Sequence, residues 1–309
     1  MAYSFEKRTI TSTDGIHELS VKVFRPEGEV KGLFQVVHGM QEYIGRYEAF
    51  MAMMADNGYL CFGHDHIGHG DTAKETGDYG FFASKNGWKI VVDDVYRVGS
   101  EVKKDFPEQN IILMGHSMGS FIVRLAAADH ADFYRGLIVM GTGGPNPLAG
   151  IGIGLAGLIG AVRGEKHISP LIEKMAFGAY NKRWPEEAPL GWLSRNKEIL
   201  EKYAADPYCS FHFTVSALRD LVMMNKKCNE KAWFDRIVAT GLPLFFVSGA
   251  DDPVGDWSKG VQTVESELQK RGAKNLRVKL YPEARHEILN DFCAGEVRAD
   301  LLAWANETI

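Results

Sequence analysis

Short apolar runs rich in β-branched residues recur along the chain, at residues 20–24, 33–37, 59–62, 111–114, 137–140, 244–247 and 276–280. Several are apolar on consecutive positions rather than alternating, as a strand buried on both faces of a parallel sheet requires. Between them, apolar residues recur at helical spacing over 47–57, 87–104, 117–130, 257–271 and 295–306. Strand alternating with helix predicts an α/β fold: a mostly parallel central sheet with helices on both faces.

The rhythm breaks between residues 143 and 235, where no comparable strand run occurs but Trp184, Pro185, Pro189, Trp192 and several helical stretches do. This predicts a helical cap inserted into a core built from residues 1–142 and 236–309. Residues 148–162 are almost entirely Gly, Ala, Leu and Ile, too short a stretch for the roughly 20 residues of a membrane-spanning helix. Two readings fit it: a lid that makes transient contact with a membrane surface, or a helix buried against the rest of the cap, which is the favoured one.

The sharpest local pattern is Ile111-Ile112-Leu113-Met114-Gly115-His116-Ser117-Met118-Gly119, a buried strand running into Gly-x-Ser-x-Gly and then a helix. Such a serine sits on a strained strand-to-helix turn, and its flanking glycines leave room for neighbouring backbone. A serine hydroxyl needs a base, and the base needs an anion to set its tautomer. Both occur downstream, each just after a strand run: Asp252 in Gly249-Ala250-Asp251-Asp252, with Asp251 as the alternative, and His286 after Tyr281-Pro282-Glu283-Ala284-Arg285. The oxyanion of an acyl-transfer intermediate would take hydrogen bonds from the backbone N–H of Met118 and of Met40, in the loop after the strand 33–37.

These features resemble the α/β-hydrolase fold family, and within it the monoacylglycerol lipase and lysophospholipase-like group, also described as serine aminopeptidase S33 or hydrolase 4. The resemblance is carried by His38-Gly39-Met40-Gln41-Glu42 with Gly45-Arg46-Tyr47, by Asp65-His66-Ile67-Gly68-His69-Gly70, by the serine motif, by Gly249-Ala250-Asp251-Asp252, and by Arg285-His286-Glu287. It implies an α/β-hydrolase core with an inserted cap, Asp252 rather than Asp251 as the acid, and a serine hydrolase of monoacylglycerols or lysophospholipids. Its cap is the least recognisable part, so acyl-chain length and head group stay open.

Composition narrows the partners. Thirty-five Lys and Arg against 40 Asp and Glu give a net charge of −5, far from the basic footprint of a nucleic-acid binder. A small-molecule ester or lipid is the expected partner; oligomeric state is left open. Cys61, Cys209, Cys228 and Cys293 are scattered without zinc or redox spacing, which predicts reduced thiols in a cytoplasmic protein. Residues 1–10 mix Glu6, Lys7 and Arg8 with isolated apolar residues, so no signal peptide is expected.

Rival readings stay in view. His64, His66 and His69, close together after a strand, would suit a metal-dependent hydrolase, though Gly68 stands where the relevant pattern wants an aspartate. Gly152-Ile153-Gly154-Leu155-Ala156-Gly157 matches a dinucleotide fingerprint but does not directly follow a strand. No metal, nucleotide or other cofactor is therefore expected. A catalytically silent lipid- or partner-binding relative is a further alternative, and an aminopeptidase a weaker one. Asp93 and Asp94, adjacent on a helix, and the pair Glu42 and Arg46, four apart, read as structural.

Overall fold

In the computed structural model, which describes residues 3–309, each buried apolar run becomes a strand. The strands are β1 (Tyr3–Thr11), β2 (Glu18–Pro26), β3 (Gly32–Val37), β4 (Tyr59–His64), β5 (Ile111–His116), β6 (Gly136–Met140), β7 (Leu244–Gly249) and β8 (Leu276–Tyr281). They form one sheet in the order β1-β2-β4-β3-β5-β6-β7-β8. From β4 to β8 every neighbouring pair is parallel, while β1–β2 and β2–β4 are antiparallel. The helices are α1 (Glu48–Asp56), α2 (Gly70–Lys74), α3 (Gly87–Lys103), α4 (Met118–Asp129), α5 (Ala149–Arg163), α6 (Pro170–Phe177), α7 (Lys197–Ala205), α8 (Val215–Cys228), α9 (Lys231–Thr240), α10 (Lys259–Lys270) and α11 (Ala294–Thr308).

Every residue of β3, β4, β5, β6 and β7 is buried, as helices on both faces demand. The sheet separates two apolar clusters. One holds Leu33, Leu113 and Val139 against α3, α4 and α10; the other holds Phe34, Met114 and Ile138 against α1 and α11. This is the α/β-hydrolase architecture.

Strand β1 is absent from the apolar runs of the sequence. Most of it is exposed, and it is held by backbone pairing to β2 from Tyr3↔Pro26 to Thr11↔Glu18, which an edge strand achieves without a hydrophobic signature. Helix α10 begins at Lys259 instead of 257 because Asp256, Trp257 and Ser258 all take positive φ, at 48°, 50° and 76°.

Between β6 and β7 lie α5 to α9. Helices α8 and α9 rest on α4: the Trp233 indole N–H donates to Arg124 O at 2.6 Å, and the Arg124 guanidinium stacks 4.2 Å over the same ring. Helix α9 runs across residue 235. The fingerprint-like glycines fall inside α5, far from any phosphate-binding turn. The expected burial of that helix does not hold. Only Ala149, Ala156 and Gly160 are buried, while Leu148, Ile151, Leu158 and Val162 are each more than 60% exposed, Leu158 at 63%. Among the described residues, no helix is long and apolar enough to cross a membrane.

Candidate active site

Strand β5 ends at His116 and α4 begins at Met118, leaving Ser117 alone at the corner with φ 55° and ψ −120°. A non-glycine residue there costs on the order of 1–3 kcal/mol. The neighbouring glycines are steric necessities: a Cβ on Gly115 would lie 2.3 Å from Gly119 O, and one on Gly119 would lie 2.3 Å from Val37 O. Met118 opens α4, so its N–H belongs to the first-turn amides that have no intrahelical acceptor.

Asp252 and His286 meet beside this corner. His286 Nδ1 lies 2.9 Å from Asp252 Oδ2, with the two side chains 2% and 0% exposed. Asp252 also accepts from Val254 N at 2.8 Å and from Ser248 Oγ at 3.3 Å. With Nδ1–H donated to the carboxylate, Nε2 is the acceptor of the neutral ring. The His286 ring is flanked by those of His116 at 4.7 Å and Trp192 at 5.0 Å. Asp251 turns the other way, pairing with Arg183 at 2.9 Å on the surface. Of the two adjacent acids, only Asp252 touches the imidazole.

Ser117, His286, Met40 and Met118 all line one cavity of about 1110 Å³, walled from the stretch between β6 and β7 by Phe177, Leu190, Trp192 and Phe211. A cavity of this size is large enough to enclose a lipid-sized small molecule.

The histidines considered for a metal are placed differently. His38 Nδ1 donates to Gly39 O at 2.8 Å, and His38 Nε2 accepts the His66 N–H at 3.0 Å. His66 Nε2 donates to His38 O and His69 Nδ1 to Ile67 O, whereas neither ring nitrogen of His64 is bonded. Burial draws all four imidazoles below their ordinary pKa, His64 to about 3 and His69 to about 4. Among the described residues, no group of three or more His, Cys, Asp or Glu is arranged to hold a metal. Asp65, its carboxyl pushed up to about 6 by burial, instead shapes the turn by accepting Ile44 N at 2.8 Å and Asp71 N at 2.9 Å. These rings tie the end of β3 to the end of β4, a role that spacing in sequence does not betray.

Asp93 and Asp94 divide as adjacent helical positions must: Asp93 pairs with Lys89, and buried Asp94 accepts from Ser12 and Thr13. Glu42 and Arg46 do meet, but the closer partner of Arg46 is Glu287, in a bidentate pair at 2.7 Å for each bond. That partner lies 241 residues away.

The sheet order, the serine corner and the buried Asp–His pair define an α/β-hydrolase. The serine aminopeptidase S33 family matches residues 28–292, and the chain belongs to that family. A monoglyceride lipase of Rattus norvegicus is 26% identical over 302 residues, covering 97% of this chain and 90% of its own. The monoglyceride lipase of Homo sapiens is 28% identical over 282 residues, covering 90% and 82%. A carboxyl esterase from Bacillus coagulans, solved in complex with glycerol, superposes with a TM-score of 0.93 at 27% identity over 99% of each chain. The chain is a serine ester hydrolase; nothing in these likenesses favours the metal-dependent or the silent reading.

Proposed function

We propose that Ser117, His286 and Asp252 are the catalytic triad of an enzyme that hydrolyses monoacylglycerols or lysophospholipids. His286 Nε2 takes the Ser117 proton as Oγ attacks the ester carbonyl, and the Met40 and Met118 amides hold the oxyanion. The tetrahedral intermediate collapses as His286 returns the proton to the leaving alcohol oxygen. Water, deprotonated by the same ring, then cleaves the acyl-enzyme and regenerates the serine. Asp252 stays ionised and orients His286 throughout. The buried 2.9 Å contact between His286 and Asp252, on the wall of the cavity that Ser117 also lines, carries this reading. The names of the relatives support the substrate class.

In the same proposal, residues 143–235 are the cap over a core of 1–142 and 236–309. Its exposed side chains Leu148, Ile151, Leu158, Val162, Leu171 and Met175 form the face that touches a lipid surface. Four free thiols are in keeping with a cytoplasmic setting.

The decisive experiment compares wild type with Ser117→Ala against p-nitrophenyl esters from short to long chains, monoacylglycerol, lysophosphatidylcholine and an aminoacyl arylamide. Turnover and fluorophosphonate labelling should both vanish in the variant, with a loss of about 10⁴-fold or more in kcat. Retained labelling would move the nucleophile, and a dominant arylamide rate would replace the lipid reading with a peptidase one.

A further inference from the structure

Three loops meet behind the triad in a closed ionic network. Arg46 follows the Met40 loop, its side chain 11% exposed; it binds Glu287 through both terminal nitrogens at 2.7 Å and reaches Glu42 Oε2 at 3.1 Å. Glu42 Oε1 in turn accepts the Gly39 N–H at 2.6 Å and the Tyr47 hydroxyl at 2.8 Å, and lies 3.1 Å from His116 Nδ1. His116 Nε2 lies 3.3 Å from the His286 carbonyl oxygen. The network therefore touches the residue before Met40, the residue before Ser117, and both His286 and the residue after it.

In the arrangement inferred below, the Tyr47 hydroxyl donates to Glu42 and His116 carries both ring protons. Its Nε2 faces a carbonyl oxygen, which only accepts, so Nε2 carries a proton. Its Nδ1 faces the carboxylate of Glu42, with the Tyr47 oxygen at 3.0 Å, so Nδ1 carries one as well. The ring is then an imidazolium, and two cations, Arg46 and His116, balance two buried anions, Glu42 and Glu287. Burial alone draws the imidazole down, but the hydrogen bond and charge of Glu42 outweigh it and leave the His116 pKa raised. The titratable groups facing this ring are Glu42, Tyr47, Glu287 and His286, with Arg46 one bond further.

We infer that Arg46 and Glu287 are positioning residues: the Glu42–Arg46–Glu287 bridge, with charged His116 as its second cation, sets the Met40 amide and the His286 ring at the separation one ester carbonyl requires. The inference rests on the triad and oxyanion roles proposed above. Glu287 reaches the wall of the cavity, but among the described residues neither it nor Arg46 is hydrogen-bonded to Ser117 or to the His286 ring; they act through Glu42 and through the backbone of the loop that carries His286. A shift of about 1 Å in such a geometry costs on the order of 10²-fold in rate.

The test measures p-nitrophenyl butyrate hydrolysis from pH 5 to 9.5 for wild type, Glu287→Gln, Arg46→Lys and Arg46→Met, each checked for cooperative melting. Glu287→Gln and Arg46→Met should lose about 10- to 100-fold in kcat with KM within about twofold, since the loss falls on the transition state. Arg46→Lys, which keeps the charge but not the fork, should recover part of it. The alkaline limb of the Glu287→Gln profile should move to lower pH, because an anion that holds His116 charged is gone. Folded variants with wild-type kcat and an unmoved alkaline limb overturn the inference. So does a neutral His116 ring at pH 7 in ¹⁵N spectra of wild type, a measurement that decides the matter even if no variant folds; an imidazolium there supports it. Loss of turnover in Ser117→Ala beside unaffected Glu287→Gln would sink this inference alone, whereas turnover surviving in Ser117→Ala would sink the triad reading itself.

Discussion

Residues 180–195 and helices α5 and α6 belong to the same stretch between β6 and β7, yet only the first is bonded to the loops that carry Asp252 and His286. Arg183 pairs with Asp251 and stacks 4.6 Å over Trp257. Arg285 binds Glu187 and Gly191 O at 2.5 Å and Ser194 O at 3.2 Å, and stacks 4.1 Å over Trp184. The backbone joins in, with His286 N donating to Trp192 O and Glu287 N to Leu193 O. Helices α5 and α6 have no such anchors. They are tied at their margins by Lys166 to Asp78, Glu165 to Arg219 and Glu173 to His212, and they leave Leu158, Val162 and Leu171 in solvent. One part of the stretch proposed as the cap is thus bonded to the loops of the proposed triad, and the other is left free to present a surface.

Breaking the anchored part should have the largest effect. Arg285→Ala leaves Glu187 and two carbonyl oxygens without their cation, which should cost about 3 kcal/mol or more. Urea unfolding measures that cost, and p-nitrophenyl butyrate turnover should fall with it as Trp192 loses its place beside His286. A variant as stable and active as wild type would erase the contrast between the two parts.

Changing the free part should act on lipid alone. The double substitution Ile151→Asp with Leu158→Asp should leave soluble-ester turnover within about twofold while weakening binding to phospholipid vesicles by about 100-fold, taking about 1.5 kcal/mol per apolar side chain. Equal vesicle binding by variant and wild type would remove the docking face.

The smallest effect concerns α8, on which α5 rests. Burial pushes the Asp220 carboxyl up to about 7 from an ordinary 3.8. Between those values the folded chain holds a proton that the unfolded chain has lost, so this group's contribution to stability declines as pH rises through the window. Asp220→Asn should therefore gain about 1–2 kcal/mol relative to wild type at pH 8 and little or nothing at pH 4. Urea midpoints at the two pH values check this, and equal differences at both would assign the effect to something other than titration.

Strands β3 to β7 were legible because burial on both faces forces consecutive apolar residues; Ser117 and Asp252 were legible as candidates because each follows such a strand, and His286 because it follows the alternating strand β8. Strand β1 was not, since its hydrogen bonds to β2 need no apolar side chains. The Arg46–Glu287 pair was hidden for a related reason: its partners are separated by almost the whole core, and nothing local in Gly45-Arg46-Tyr47 points to the residue after His286. The histidines 64, 66 and 69 carried a metal-like spacing because sequence does not show backbone carbonyls, which take up the N–H groups of two of the rings. Helix α5 was misread as buried because Gly, Ala, Leu and Ile make the same pattern whether protein or something else covers them.

The left-handed backbone at Ser117 has one more consequence. Glycine would occupy that corner without strain, so the fold carries a permanent local penalty in order to keep a hydroxyl there. The sheet tolerates it because Gly115 and Gly119 let the turn close against Val37 and His38. On the proposal that Ser117 is the nucleophile, thermostability and reactivity compete at this single position, and selection for stability alone would be free to erase it while leaving the architecture intact.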